Sequence, residues 1–253
     1  MSRAHAVTQL HTNQGWPNVR DQFSMPDYCT WKSKVLSQDE PPLGLRLALS
    51  QQRRVYIGAG GYKLAGWESF NEDELDVTNE HTFSQLFCPG EVQAFHSEHT
   101  FEHISKESTE LAFQLFFQYL ANGGYVRTAV PPYGPGHTQT PLDGQYGHVN
   151  FMTADEFVDL MEHIGYTDVK KLEWTDFETK TVHTTAWDFC EGPVIRSVQY
   201  DRRNQEFLRS KCNDLNTTYS EDGSFASSTL AENSFSERDI NTHSAIIQGF
   251  KRL

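Results

Sequence analysis

Hydrophobic and polar residues follow two different periods along the chain, which indicates a mixture of strands and helices. Short runs rich in β-branched and aromatic residues predict strands. These runs are Arg54–Ile57, Glu91–Ser97, Tyr125–Val130, Thr167–Trp174 and a last one within Thr242–Lys251. Apolar residues at helical spacing predict helices over Ser105–Ala121 and after Thr153. Because strands alternate with helices, we expect an α/β fold with a mostly parallel sheet and helices on both faces.

Both predicted helices have recognisable ends. Thr153-Ala154-Asp155-Glu156 has the sequence of a capping box, in which the Thr hydroxyl and the Glu carboxylate each bind a backbone N–H. Gly165 is predicted to end that helix, and Asn122-Gly123-Gly124 is predicted to end the earlier one.

The chain length of 253 residues fits one large domain, or one domain with an arm. Residues 1–50 are polar with isolated aromatic residues, and we expect an N-terminal arm that packs on the domain or covers its site. Residues 51–253 are predicted to form the domain itself. Within it, 132–150 is predicted to be a loop that acts as a substrate lid, and 212–238 a flexible polar loop.

Composition excludes several classes of function. The net charge of −13 argues against nucleic-acid binding, which needs a basic surface. No run approaches the roughly 20 apolar residues of a membrane span, and the first residues lack the apolar segment of a secretory signal, so we expect a cytoplasmic protein with no membrane partner. The four cysteines are scattered and are expected to be reduced thiols: Cys29, Cys88, Cys190 and Cys212.

A glycine-rich turn follows the first predicted strand. Gly58-Ala59-Gly60-Gly61 would let the backbone approach a ligand closely, as at the start of a Rossmann-like sheet. The dinucleotide fingerprint G-x-G-x-x-G would need a third glycine where Lys63 stands, which disfavours a nicotinamide cofactor.

Several segments together resemble, in the same order, the motifs of one enzyme family. They are Val55–Gly61, Leu64–Trp67, Asp76–Thr78, Ser97–His103, Gly123-Gly124, Ala129–Pro131, Gly147–Phe151 and Arg196–Asn204. The chain resembles the class I S-adenosylmethionine-dependent methyltransferases over about residues 53–253, and most of all the small bacterial-type branch of methyltransferase type 11-like proteins. This resemblance implies a Rossmann-like sheet of seven strands with an antiparallel last strand. It also implies S-adenosylmethionine as cofactor and S-adenosylhomocysteine as product.

The same resemblance implies a set of cofactor-binding residues at the carboxyl ends of the strands. They are Tyr56, Gly58, Ala59, Gly60, Gly61, Asn71, Asp76, Val77, Glu98 and His99. Two of them depart from the family pattern. Tyr56 stands where an acidic residue often faces the methionine amino group, and Asn71 stands where an acidic residue grips the ribose, a role that Glu72 or Asp73 could take over. The alternative is therefore a methyltransferase-like protein that has lost or repurposed its cofactor site. Such a protein would act as a binding module or as a non-methylating catalyst.

Two histidines are the candidates for proton transfer. His99 follows a predicted strand and His148 lies in the long loop, and an imidazole can accept a proton near neutral pH. The acceptor is predicted to be a small molecule with an oxygen, nitrogen or sulfur nucleophile, bound by a monomer or homodimer. The residues predicted to bind it are Tyr133, His137, His148, Asn150 and Trp187.

No metal site is predicted. His99 and His103 are four residues apart and Glu102 lies beside them, but the zinc pattern HExxH needs Glu directly after the first His, where Thr100 stands. His103 is expected to be structural.

Overall fold

The structure is a computed structural model, and it describes residues 28–37, 52–60, 66–185 and 244–252. Within these ranges the chain forms five α-helices: α1 (Tyr28–Leu36), α2 (Glu80–Leu86), α3 (Lys106–Tyr119), α4 (Pro141–Tyr146) and α5 (Ala154–Ile164). It also forms seven strands: β1 (Arg53–Ile57), β2 (Glu68–Phe70), β3 (Val92–Glu98), β4 (Leu120–Val130), β5 (Thr167–Asp176), β6 (Thr181–Thr184) and β7 (Ala245–Phe250). Among the described helices, none is long and apolar enough to cross a membrane.

All seven strands join in one sheet, in the order β2-β1-β3-β4-β7-β5-β6. The first four in this order pair in parallel, while β7 runs antiparallel to both β4 and β5. The edge strand β6 forms an antiparallel pair with β5. This topology confirms the predicted Rossmann-like sheet with an antiparallel last strand.

The main core lies where the helices α2, α3 and α5 cover the sheet. Its centre is aromatic: Phe95 of β3 stacks on Phe116 of α3 with ring centroids 4.5 Å apart, and Phe83 of α2 lies against both. Full burial of one such ring stabilises the fold by about 1.5–3 kcal/mol. A smaller cluster on the opposite face contains Tyr56 and Trp67.

The predicted ends are confirmed for α5 but not for α3. The capping box is confirmed, since Thr153 N donates to Glu156 Oε2 over 2.8 Å and Glu156 N donates to Thr153 Oγ1 over 3.2 Å. Gly165 ends α5 with a left-handed φ of 112°. The prediction for α3 was wrong, because Tyr119 ends the helix and residues 122–124 lie inside β4. Gly124 serves strand packing there, since an added Cβ would lie 2.9 Å from the backbone oxygen of Gln93.

The cysteines at positions 29 and 88 form a disulfide, so the expectation of reduced thiols was wrong for this pair. They are 59 residues apart in the chain, but α1 packs against α2 and brings their Cα atoms to 5.2 Å. Lys32 of α1 also forms an ion pair of 2.8 Å with Glu91. This part of the predicted arm is therefore anchored to the domain. Cys190 and Cys212 lie outside the described residues.

Candidate active site

The turn after β1 brings the chain against the end of β3. Gly58 and Gly60 both have left-handed backbones, with φ of 61° and 58°. An added Cβ at Gly60 would meet no atom of the described residues within 4 Å, apart from its chain neighbours, whereas at Gly58 it would overlap the Oγ1 atom of Thr100. The first glycine therefore permits a close contact with the segment after β3.

Asn71 directly follows β2, as the sequence predicted, and its side chain closes the turn. Gly60 N donates to Asn71 Oδ1 over 2.7 Å, and Asn71 Nδ2 donates to Gly60 O over 3.2 Å. These two hydrogen bonds tie the residue after β2 to the turn after β1. Gly61 lies outside the described residues.

Asp76 and Val77 lie in the connection between β2 and α2. Asp76 Oδ1 accepts hydrogen bonds from the backbone N and the hydroxyl of Thr78, over 2.9 and 2.7 Å. Val77 is buried in the main core. The structure places both residues in a turn that the Asp76 carboxylate stabilises.

A buried carboxylate lies next to the turn on the neighbouring strand. The Tyr56 hydroxyl donates to Glu98 Oε1 over 3.1 Å, and His96 Nε2 lies 3.0 Å from the same oxygen. All three residues are fully buried. The acidic group that was expected at position 56 is therefore present one strand away, within reach of the tyrosine that replaces it.

His99 follows β3 and lies between a carboxylate and a hydroxyl. Its Nδ1 is 3.0 Å from Glu102 Oε1, and its Nε2 is 3.2 Å from Ser244 Oγ. Because a carboxylate only accepts, we assign the ring proton to Nδ1 and the lone pair to Nε2. The backbone of His99 has a φ of 51°, unusual for a residue with a Cβ, and its N–H donates to Ala129 O over 2.9 Å. This geometry is that of an oriented base.

Two members of this arrangement were missed by the sequence analysis as site residues. Glu102 lies in the motif 97–103, but it was considered only as a metal ligand. Ser244 is 145 residues away from His99, and no sequence signal connects them.

A second polar network surrounds His148. The Tyr133 hydroxyl is 2.7 Å from His148 Nδ1, and Asp143 Oδ1 lies 3.4 Å from the same nitrogen. His137 Nε2 is 3.1 Å from Asp143 Oδ2. The predicted residues Tyr133, His137 and His148 are thus brought together by Asp143. The segment 132–150 was predicted as a loop throughout, but α4 forms within it because Thr140 and Asp143 make a second capping box.

The shifted pKa values of Asp143 and Tyr133 indicate which group in this network is charged at neutral pH. Burial acts to raise the pKa of Asp143, but hydrogen bonds from Thr140, His137 and His148 outweigh it and lower the pKa well below its usual value. Burial raises the pKa of the Tyr133 phenol, and the Asp143 carboxylate adds to this shift. At neutral pH, Asp143 is therefore a charged acceptor and Tyr133 a neutral phenol.

Asn150 has a structural position instead of the predicted contact with an acceptor. It is buried, and its Nδ2 donates to Phe101 O over 3.1 Å and to Thr109 Oγ1 over 3.0 Å. Its Oδ1 accepts from the backbone N of Met152 over 3.2 Å. Because the amide is fully used inside the protein, Asn150 anchors the end of the loop and we no longer assign it to the acceptor.

A shallow, open hollow of about 40 Å³ lies at the same edge of the sheet. Aromatic residues, prolines and a few small or polar residues line it: Pro132, Tyr133, Pro135, Thr153, Ala154, Asp155, Trp174, Thr175, Phe177 and Ala245. Ala245 directly follows Ser244, the partner of His99, and Tyr133 is the partner of His148. Each predicted base is thus linked to the hollow through a partner: His148 through Tyr133, and His99 through the residue before Ala245. Trp187, also predicted here, lies outside the described residues.

No protein-family model matches the chain, and no curated protein matches it. Several solved structures are similar. Phosphoethanolamine N-methyltransferase 2 of Haemonchus contortus, in complex with phosphomonomethylethanolamine and S-adenosylhomocysteine, is 13% identical over 88% of this chain and 53% of its own, with a TM-score of 0.39. This chain thus spans about half the length of that enzyme.

Two further structures show the same degree of likeness. An S-adenosylmethionine-dependent methyltransferase from Archaeoglobus fulgidus is 15% identical over 88% of this chain and 99% of its own, with a TM-score of 0.40. A geranyl diphosphate methyltransferase in complex with GPP and sinefungin is 12% identical over 74% of this chain and 54% of its own, with a TM-score of 0.37. These neighbours are methyltransferases, the family that the sequence motifs resemble. At such TM-scores the function has to be argued from the residues of the site.

Proposed function

We propose that the protein transfers a methyl group from S-adenosylmethionine to a small-molecule acceptor, with His99 as the general base. The observation that carries this proposal is the position of His99. It is oriented by Glu102, it directly precedes the residue that Gly58 contacts, and its partner Ser244 comes directly before Ala245, which lines the hollow. A base, a ligand turn and an acceptor site thus meet at the carboxyl edge of the sheet, where ligands bind in such folds.

The residues of the turn fit the cofactor. Among the described residues no side chain crowds Gly60, whose backbone could therefore be approached by an adenosyl group. Tyr56 and Glu98 would face the methionine portion, because a carboxylate near the turn suits its ammonium group. Asn71, whose amide is used by Gly60, would shape the site, while Glu72 or Asp73 would reach the ribose.

When bound, S-adenosylmethionine supplies a methyl group already activated by its sulfonium. The protein's part is to orient the acceptor and to remove its proton. The acceptor hydroxyl or amine would donate to His99 Nε2 in place of the Ser244 hydroxyl. As the proton transfers, the Glu102 carboxylate stabilises the imidazolium through Nδ1–H. A sulfur acceptor without a proton would need only the shape of the site.

The hollow favours a small acceptor with an apolar or aromatic part. Tyr133, Trp174 and Phe177 supply its aromatic walls. The Thr175 hydroxyl is buried and has no hydrogen-bond partner among the described residues, so it offers one polar contact to a bound molecule. His137 and His148 lie at the Tyr133 side of this hollow and are proposed to contact the acceptor.

One observation favours the alternative of a protein that has lost or repurposed the cofactor site. Both polar atoms of the Asn71 amide are used by Gly60, so the residue at the ribose-gripping position is already engaged. Calorimetric titration with S-adenosylhomocysteine separates the two functions. Binding that is lost in Gly60→Val supports the methyltransferase, whereas no heat with the wild type at millimolar ligand contradicts it.

The role of His99 is tested by methyl transfer from labelled S-adenosylmethionine to a panel of phenols, carboxylic acids, amines and thiols. With a hydroxyl acceptor, His99→Ala should lower kcat by about 10²–10⁴-fold, the usual contribution of a general base. The affinity for S-adenosylhomocysteine should stay within about twofold. His163→Ala, at the exposed last turn of α5, is the matched control. If His99→Ala keeps the wild-type kcat, His99 is not the base.

A further inference from the structure

We propose that Glu102, His103 and His148 form a binding site for a divalent transition-metal ion, a property beyond methyl transfer that shares Glu102 and His148 with the proposed acceptor site. One possible ligand atom from each side chain lies within 4.8 Å of those from the other two. Imidazole nitrogen suits zinc and its first-row neighbours, and two His with one Glu is a ligand set of zinc sites that keep an open position. The three residues therefore provide a complete protein ligand set of that type.

One carboxylate oxygen of Glu102 is buried without a hydrogen-bond partner among the described residues. The residue is only 2% exposed, and its Oε1 atom is the one next to His99 Nδ1. Its Oε2 atom is buried without a hydrogen bond in the described part of the chain. A buried carboxylate oxygen that is neither hydrated nor bonded is costly. A bound cation would satisfy it.

Hydrogen bonds at Nδ1 favour, in both histidines, the tautomer whose Nε2 lone pair is available to a metal ion. His148 Nδ1 faces the carboxylate of Asp143 and the hydroxyl of Tyr133, so we assign its proton to Nδ1 and its lone pair to Nε2. His103 Nδ1 lies 3.4 Å from the backbone oxygen of Gly147, which leaves Nε2 for an ion in the same way. Metal-binding histidines usually donate their second ring N–H to a carboxylate or carbonyl.

Backbone hydrogen bonds keep the three ligands together. The N–H groups of Val149 and Asn150 both donate to Glu102 O, over 2.8 and 3.1 Å. These bonds hold His148, the residue before Val149, beside Glu102 and His103. The ring centroids of His103 and His148 lie 5.0 Å apart. A tetrahedral zinc site with bonds of about 2.1 Å needs donor atoms about 3.4 Å apart. Because His103 is exposed, rotation of its side chain can close the remaining gap.

The test is calorimetric titration of the full chain with Zn²⁺ after removal of metals by EDTA, followed by visible absorption with Co²⁺. We expect one ion per chain and no binding of Mg²⁺, which prefers oxygen ligands. His103→Ala and His148→Ala should each weaken Zn²⁺ binding at least tenfold. Asp143→Asn should weaken it about 10–100-fold, as loss of a partner behind a metal ligand does.

The control is His163→Ala, which removes an exposed histidine of α5 outside the cluster and should leave Zn²⁺ affinity unchanged. Absence of Zn²⁺ binding by the wild type would overturn the proposal, and so would equal losses in His103→Ala and His163→Ala. His103 is exposed, so its variant should fold, which circular dichroism verifies. The titration contains no S-adenosylmethionine, so its failure is distinguishable from failure of the proposed methyl transfer.

Discussion

Replacing Gly58 and Gly60 by alanine should destabilise the protein by different amounts, although the two residues have nearly the same backbone conformation. Their φ angles are 61° and 58°, and a left-handed backbone costs a residue with a Cβ about 1–2 kcal/mol. At Gly60 nothing lies within 4 Å of the added methyl group. Gly60→Ala should therefore lower the free energy of unfolding by about 1–2 kcal/mol and no more.

Gly58→Ala carries an additional steric cost. Its methyl group would overlap Thr100 Oγ1 and lie 3.1 Å from Thr100 Cγ2. Overpacking of this kind typically costs about 1–3 kcal/mol, so the total loss should be about 2–5 kcal/mol. Thr100→Ala removes both crowding atoms and leaves only the Thr100 Cβ, at 3.3 Å. In that background, Gly58→Ala should cost no more than Gly60→Ala.

The assay is urea unfolding of the wild type, the three single variants and the Gly58→Ala/Thr100→Ala double variant. The hydrogen bond from Thr100 Oγ1 to Glu98 O is lost in both Thr100 variants and cancels in the double-mutant cycle. We expect a coupling energy of about 1–3 kcal/mol, the steric part alone. Additivity within about 0.5 kcal/mol would refute the close contact between the turn and the end of β3.

Three further predictions concern stability away from the turn. Thr153→Ala should lower the free energy of unfolding by about 0.5–2 kcal/mol through loss of the α5 cap. Burial acts to raise the pKa of Glu156, but hydrogen bonds from Lys106 and the Thr153 backbone outweigh it, so the pKa is lowered and the charge stabilises the fold above the ordinary pKa of 4.5. The stability difference between wild type and Glu156→Gln should therefore be full at pH 7 and shrink below pH 4.5 in urea unfolding; a constant difference would contradict this. Arg53→Ala should cost about 3–5 kcal/mol by guanidinium unfolding, because it leaves the buried carboxylate of Glu68, now bound over 2.6 and 2.8 Å, without its partner. An Arg53→Met/Glu68→Met double variant should cost less, and an equal or larger loss would show that the ion pair itself stabilises the fold.

The sequence predicted the sheet because strands carry local signals. A strand followed by glycines or by polar residues can be recognised within a few positions, and the carboxyl ends of parallel strands lie at one edge. Gly60 and His99, which each follow a predicted strand, are therefore predicted to lie at that edge. The end of α3 was not predictable in the same way. There, a glycine pair that usually ends a helix meets the packing requirement of β4 against β3.

Contacts over long sequence distances explain the other differences. Asn150 was predicted to bind the acceptor because it lies in the long loop. Its amide instead forms hydrogen bonds with the backbone of Phe101 and Met152. Ser244 had no pattern of its own, and only the antiparallel pairing of β7 with β4 carries it to His99. The cysteine pair was missed for the same reason, because only packing of α1 on α2 brings the two residues together.

The departure at Tyr56 has a physical explanation in the register of the sheet. Tyr56 pairs with His96, so Glu98, two residues later on the same face of β3, extends past the end of β1 beside Gly58. A carboxylate at position 56 would lie next to that of Glu98, and two like charges in a buried site repel strongly. A tyrosine instead donates a hydrogen bond to Glu98 and leaves a single carboxyl group beside the turn. The register of β1 and β3 therefore explains why the acidic residue stands at position 98 and a phenol at position 56.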